Sequence, residues 1–212
     1  MIRRTIDILV SATSLALLAI PFMVIGLIIK MDSPGPVFFR QDRSGKDGKT
    51  FRIWKFRTMV DGAAKIGLGN TVADADPRIT KVGNLLRNLS IDELPQLINV
   101  LQGTMSLIGP RPTLPYQIQA YNDHQRQRLL VKPGITSWAS VHGRNSLPWS
   151  ERIELDVWYV HHRSAWVDLK IIFRTFWVAF VTREGLYGAE GVNDDFGATQ
   201  AIDNPVPAEH VR

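Results

Sequence analysis

At 212 residues, with 45% hydrophobic and 21% charged side chains, the chain has the size and apolar content of one ordinary folded domain, which excludes global disorder. Its formal charge of +5 is unevenly placed: residues 1–183 carry 24 Lys and Arg against 14 Asp and Glu, whereas residues 184–212 carry six acids and one Arg. A basic body selects anionic partners, whether nucleic acid, phospholipid headgroups or phosphorylated small molecules, and no cysteine is present to build a disulfide or a thiolate metal site.

Residues 8–29 are an uncharged apolar run of 22, long enough to cross a bilayer as a helix. The run is long for a cleaved signal peptide, and no small-residue cleavage site precedes Lys30-Met31-Asp32. Pro21 lies inside it, where proline removes a backbone hydrogen bond and kinks a helix. Arg3 and Arg4 precede the run and Lys30, Arg40 and Arg43 follow it, so the positive-inside tendency keeps both flanks on one side. A kinked spanning helix and a re-entrant helix that bends at Pro21 and returns are both compatible with the run itself.

Asp32-Ser33-Pro34-Gly35-Pro36 is a dense turn signal. Residues 37–41 and 50–56 read as two strands of a hairpin joined by the polar, Gly-rich stretch 44–49. A Gly/Ala/Asp-rich loop covers 61–76, and helical periodicity resumes over 79–89 and 92–101. A polar helix is expected over 117–130. Another runs from 149 to 162, with Ser146 as its cap and Pro148 in its first turn. The last, over 166–181, is rich in Trp, Phe and Ile but interrupted by Asp168, Lys170 and Arg174; it reads as a helix in a membrane interface or as a soluble core helix. The fold class is therefore α+β and mainly helical. It divides into a membrane helix over 1–30, a catalytic-sized domain over 31–183, and an acidic, disordered tail over 184–212.

The chemistry-bearing stretch is Ser90-Ile91-Asp92-Glu93-Leu94-Pro95-Gln96. Ser90-x-x-Glu93 reads as a capping box with acids in the first helical turn. With Asp92 as the cap instead, Pro95 falls at the third position, where no donor is needed. That register places Asp92 and Glu93 at a helix tip, where carboxylates stay ionised and phosphate is attracted. An ionised Asp92 could then attack phosphorus, and Glu93 could hold a divalent cation. In Gly109-Pro110-Arg111-Pro112 two prolines stiffen a loop around one guanidinium, a geometry suited to phosphate and also to a solvated turn. Lys55 and Arg57 continue the strand face of Phe51 and Ile53, as an anion site, a membrane rim or an exposed strand end would. Arg87 lies within reach of Asp92 or a phosphate, though a solvated helix-end arginine is the commoner case, and Arg144 sits in a flexible loop. Asp156 lies four residues after Arg152, as in an ordinary surface pair. The five histidines lack ligand spacing, and no recognised nucleic-acid motif or glycine-rich phosphate loop is present.

The order of these pieces is more specific than any one of them. Asp32-Ser33-Pro34-Gly35-Pro36-Val37-Phe38-Phe39-Arg40-Gln41, Trp54-Lys55-Phe56-Arg57-Thr58-Met59, Asp76-Pro77-Arg78-Ile79-Thr80, Ser90-Ile91-Asp92-Glu93-Leu94-Pro95-Gln96, Gly109-Pro110-Arg111-Pro112, Lys132-Pro133-Gly134-Ile135-Thr136 and Glu154-Leu155-Asp156 resemble the bacterial sugar transferases. These are monotopic polyprenyl-phosphate phosphoglycosyl transferases, here in their short form, and the resemblance spans residues 2–183. It implies that Asp92 attacks the β-phosphate of a UDP-sugar, that UMP leaves, and that polyprenyl phosphate, as undecaprenyl phosphate, takes the phosphosugar to initiate polysaccharide or glycoconjugate assembly. It implies Mg²⁺ at Asp92 and Glu93, with Glu93 tied to the ion. Arg111 matches a phosphate-contacting position, and Lys55, Arg87, Arg144 and Asp156 match recurrent polar positions of the substrate site. The family further implies a re-entrant helix, interfacial amphipathic helices in contact with membrane lipids, and an active site on the cytoplasmic face of the bacterial inner membrane. A homodimer is compatible with this pattern; nucleic acid is not an expected partner. Well-known members bend the helix at Ser-Pro, whereas this chain has Ile20-Pro21, so any support for the bend from that hydroxyl is missing.

Overall fold

The structure, a computed structural model, describes residues 2–65, 76–143 and 146–178. The expected tail over 184–212, most of the 61–76 loop, and Arg144 lie outside the described residues.

The apolar run forms α1 (Ile2–Asp32), helical throughout with Pro21 inside it. Thirty-one residues at ~1.5 Å each give about 46 Å, and Leu17, Ile20, Met23 and Leu27 along its middle are exposed. Its buried residues, Asp7, Ser11, Gly26 and Ile29, lie towards its two ends. Both ends dock on the same domain. Arg4 donates to the carbonyls of Val100 and of Leu101 (2.8 Å), and Asp7 accepts from the Leu107 N–H at 3.0 Å and the Ser106 hydroxyl at 2.9 Å. Arg3 pairs with Asp168 at 3.0 Å. At the other end Asp32 accepts from the Val82 N–H at 3.2 Å.

Arg57 departs from expectation. It is buried and donates to the carbonyls of Ile29, in the last turn of α1, and of Ser33 (2.7 Å) and Pro34 just beyond it. The turn it closes requires Gly35, whose φ is +121° and whose added Cβ would lie 2.0 Å from the Arg57 guanidinium.

Strands β1 (Phe38–Ser44) and β2 (Thr50–Phe56) pair antiparallel from Phe38↔Phe56 to Ser44↔Thr50, so β1 runs three residues beyond its expected end. An ion pair between Asp42 and Arg52 (3.3 Å) spans that extension. Alternation puts Phe39, Gln41, Arg43, Phe51, Ile53 and Lys55 on one face. Of these, Phe51 and Ile53 pack with Val100 and Met105. On the other face Phe38 stacks on Phe56 at 5.4 Å, and Phe22 of α1 meets the Phe56 ring edge-on at 5.0 Å.

Helix α2 (Lys81–Asn88) is capped by Thr80, whose hydroxyl accepts from the Gly83 N–H at 3.0 Å. Neither register expected at Asp92 forms. Ser90 is left-handed (φ 55°) and makes no cap, Ile91–Glu93 is a single 3₁₀ turn, and α3 (Gln96–Gln102) starts only after the buried Pro95. Proline has no N–H to give, so the ladder begins beyond it.

After α3 come β3 (Ser106–Ile108), the 110–112 loop, and a segment that is not the one helix expected over 117–130. A 3₁₀ turn (Gln117–Ala120), the short α4 (Asp123–Arg126) and a second 3₁₀ turn (Gln127–Leu130) replace it. Tyr121 is extended, and Asn122 restarts the chain through a capping box with Gln125. Strand β4 (Gly134–Thr136) then pairs parallel with β3, a contact without a local signal. In α5 (Trp149–His162), Pro148 holds the cap position, and the expected cap Ser146 donates back to the Gly143 carbonyl at 2.6 Å. Ser164 caps α6 (Ala165–Trp177), which buries Ile171 and exposes Trp166, Phe173, Phe176 and Trp177.

Candidate active site

The Ile91–Glu93 turn presents the two carboxylates between α2 and α3. What aims them is Asn99 of α3, buried against β2: its side-chain oxygen accepts from the Trp54 N–H at 2.9 Å and its amide donates to the Arg52 carbonyl at 2.8 Å. These bonds clamp β2 and bring Lys55 onto the turn. The Lys55 ammonium donates to Glu93 Oε1 at 2.7 Å, and Arg111 donates to the same oxygen at 2.9 Å and to Oε2 at 3.4 Å. The stiff loop thus delivers its guanidinium to Glu93, joining three residues far apart in sequence.

Asp92 is buried, with 9% of its surface exposed, and lines a cavity of about 370 Å³. Lys55 and Arg87 line it too, together with Arg40, Arg43 and an apolar side made of Pro36, Phe38, Phe39, Met59 and Val60. Arg87 is held there by donating to the Thr58 hydroxyl at 2.8 Å.

The neighbours split the two acids. Burial and the adjacent Glu93 raise the Asp92 carboxyl to about 6, against the pull of Lys55, Arg87 and Arg111. Burial also pushes Glu93 up, but Arg111 and Lys55 outweigh it and hold that carboxyl well below its ordinary value. Glu93 is therefore a fixed anion organising two cations, while Asp92 faces the cavity with an oxygen that is more basic than an ordinary Asp. A more basic carboxylate is the better nucleophile once ionised.

Of the residues singled out in the sequence, Asp92, Glu93, Lys55, Arg87 and Arg111 gather here, and Pro21 lies in the exposed middle of α1. Asp156 is elsewhere. It is 1% exposed and paired with the equally buried Arg128, so it is neither a surface partner of Arg152 nor a lining residue of the cavity beside Asp92. Arg128 donates in turn to the Tyr121 hydroxyl at 2.6 Å and to the Arg111 carbonyl at 3.0 Å. Asp156 is thus linked to the backbone of Arg111 through Arg128. Asn99 and Arg128 escaped the sequence reading. The polar Asn99 among the apolar residues of α3 was a usable signal; Arg128, inside a charged segment, had none. Among the described residues, no three His, Cys, Asp or Glu side chains gather as a metal cluster.

Helix α1 is long and apolar enough to cross a membrane and docks at both ends on the domain, whose cavity beside Asp92 is lined by Arg40, Arg43, Lys55 and Arg87, with Glu93 held next to Asp92 by Lys55 and Arg111. Comparison with known proteins makes this specific. The family model for bacterial sugar transferases matches residues 1–182, and the chain belongs to that family. It is 44% identical over 174 residues to an uncharacterized sugar transferase, EpsL, of Bacillus subtilis, covering 82% of this chain and 85% of that protein. It is 43% identical over 196 residues to the UDP-glucose:undecaprenyl-phosphate glucose-1-phosphate transferase of Escherichia coli, covering 86% of this chain and 41% of that one. With the UDP-N-acetylgalactosamine-undecaprenyl-phosphate N-acetylgalactosaminephosphotransferase of Aeromonas hydrophila it shares 41% over 180 residues, 82% of this chain and 42% of that protein. The chain spans about two fifths of the length of these two transferases.

Proposed function

We propose that this chain moves a sugar 1-phosphate from a UDP-sugar to undecaprenyl phosphate through a covalent intermediate on Asp92. The carrying observation is Asp92 itself, a buried carboxylate open to the cavity beside an ion-paired Glu93. An Asp92 oxygen bonds to the β-phosphorus while the bridging bond to the α-phosphate breaks, and UMP leaves with the bridging oxygen. A phosphate oxygen of the carrier then attacks the same phosphorus, releasing the carboxylate and forming a sugar–diphosphate–lipid. Lys55, Arg87 and Arg111 offset the charge of the phosphoryl oxygens. Arg144 and Asp156 belong to the same reading, Asp156 by holding Arg128. Mg²⁺ usually takes one or two carboxylates plus substrate phosphates, and the adjacent Asp92 and Glu93 offer such a pair, Glu93 through Oε2, to which Arg111 donates at 3.4 Å against 2.9 Å to Oε1. Bound there, it would supply charge neutralisation for the diphosphate.

The test is UMP release from a panel of UDP-sugars in detergent with Mg²⁺ and undecaprenyl phosphate. Release from one donor is expected, and that donor identifies the sugar. A folded protein releasing UMP from none would favour a membrane-bound scaffold. Since Asp92 must be ionised to attack, the rate is expected to fall about tenfold per pH unit below about 6. A rate unchanged from pH 7.5 to 4.5 would count against Asp92.

The same reading makes α1 re-entrant at the cytoplasmic face of the inner membrane, with Pro21 at its deepest turn and α6 lying in the interface. Support comes from the docking of Arg4 and Asp32, near opposite ends of α1, on α3 and α2 of one domain, with an apolar exposed middle between them. Cysteine labels at positions 2 and 46 are expected to react from the same side of sealed vesicles; opposite sides would mean a full crossing.

A further inference from the structure

The cavity beside Asp92 has an apolar side that the phosphate chemistry does not use. Phe39 stands directly across the hairpin from Lys55, on the same face, and so adjoins the charged residues. Met59 and Val60 come from the segment after β2, which is held in place by the Met59↔Ile79 bridge and by the Val60 N–H on the Arg78 carbonyl at 2.9 Å. Phe39 and Val60 are each 39% exposed, and among the described residues none of Phe39, Met59 and Val60 belongs to a core cluster. Pro36 and Phe38 complete the lining. Among the described residues, core packing therefore accounts for Phe38 of this lining but not for Phe39, Met59 and Val60.

Its position indicates what covers it. The other face of the same hairpin also reaches the cavity, through Phe38 and Phe56, and these rings pack with Phe22 and Ile25 of α1 while Val37 lies against Gly26. The wall is thus built beside the C-terminal half of the membrane helix, where a lipid tail would leave the bilayer. The cavity also has polar lining in Gln41, Thr58 and Asp61, but the side formed by Pro36, Phe38, Phe39, Met59 and Val60 offers nothing stronger than the Met59 thioether to a hydrogen-bonding partner. A nucleoside, with ribose hydroxyls and a polar base edge, would lose hydrogen bonds against them; a hydrocarbon loses none. We propose that this wall is the subsite for the first isoprene units of the lipid acceptor, seating them on Phe39, Met59 and Val60 while the acceptor phosphate meets Lys55 and Arg87 beside Asp92. The assignment rests on the transfer reaction proposed above, and it places recognition of the lipid's first units in the soluble domain.

Full-length wild type and the Phe39→Ser/Val60→Ser double variant are compared with farnesyl phosphate and dimethylallyl phosphate as acceptors, with the donor KM measured alongside. Wild type is expected to favour the longer acceptor by about tenfold or more in kcat/KM, and the variant to reduce that preference to about twofold. Because both side chains are partly exposed and outside the core clusters, the variant is expected to keep the wild-type unfolding temperature. An intact preference in the variant would overturn the proposal. So would an effect confined to the donor KM, which would assign the wall to the nucleoside. A wild type that releases no UMP with any donor would instead remove the underlying reaction, a distinct failure.

Discussion

Asp92→Asn is expected to abolish UMP release and, at the same time, to make the protein more stable. The amide keeps the shape of the carboxylate but cannot form the bond to phosphorus, so a loss on the order of 10³-fold or more is expected. Stability moves the other way because the fold disfavours the charge it uses. The carboxyl lies at about 6 against an ordinary value of 3.8, raised by burial first. A raised carboxyl favours the folded state fully below about pH 4, and that contribution is lost as pH rises through about 6. At pH 7.5 the ionised group is therefore a burden of roughly 1–3 kcal/mol that asparagine relieves, at ~1.4 kcal/mol per pH unit. Thermal unfolding in detergent and UMP release, measured on one preparation, check both halves. Wild-type incubated with UDP-sugar alone should gain a phosphosugar mass on Asp92. Undiminished UMP release by the asparagine variant, or a donor-dependent adduct on another residue, would remove Asp92 from the nucleophile's role.

Arg128→Met is expected to destabilise the protein by about 3–5 kcal/mol, because it strands the Asp156 carboxylate in an interior where neither partner is more than 2% exposed. The pair already lacks slack, as Asp156 Oδ1 and Arg128 Nε are buried without hydrogen-bond partners. Replacing both, as Arg128→Met/Asp156→Leu, removes the stranded charge and is expected to recover most of the stability. Transfer should not recover with it. The Arg111 carbonyl has lost its donor, and the loop that delivers the guanidinium to Glu93 is no longer tied down. Denaturant unfolding and donor kinetics together separate the two effects. A single variant within 1 kcal/mol of wild type would contradict the buried-pair argument, and a double variant with full transfer would show that Arg128 holds the fold but not the site.

Much of this protein is legible in its sequence because its signals are local. The apolar run of α1, the alternation of the hairpin and the proline-bound Arg111 are each written within about thirty residues. The Asp-Glu pair also stood out, yet the turn beneath it did not. Whether Ser90 or Asp92 caps a helix depends on a left-handed Ser90 and a buried Pro95, and the structure uses neither cap. Arg57 shows the same limit from the other side. Its strand-face position suggested an anion site, but the carbonyls it satisfies belong to residues 23 to 28 positions earlier.

The sequence by itself determined the long apolar helix, the hairpin and the charged residues that gather beside the cavity, since periodicity, turn residues and charge act over one or two turns of chain. Only the tertiary structure decided how they meet: Lys55, Glu93 and Arg111 on one carboxylate, Asp156 behind Arg128, and Asp7 of α1 on Leu107, 100 residues away. Such pairings depend on burial, which turns an ordinary acid into either a fixed anion or a carboxyl raised above its usual value, according to the cations that the fold places beside it.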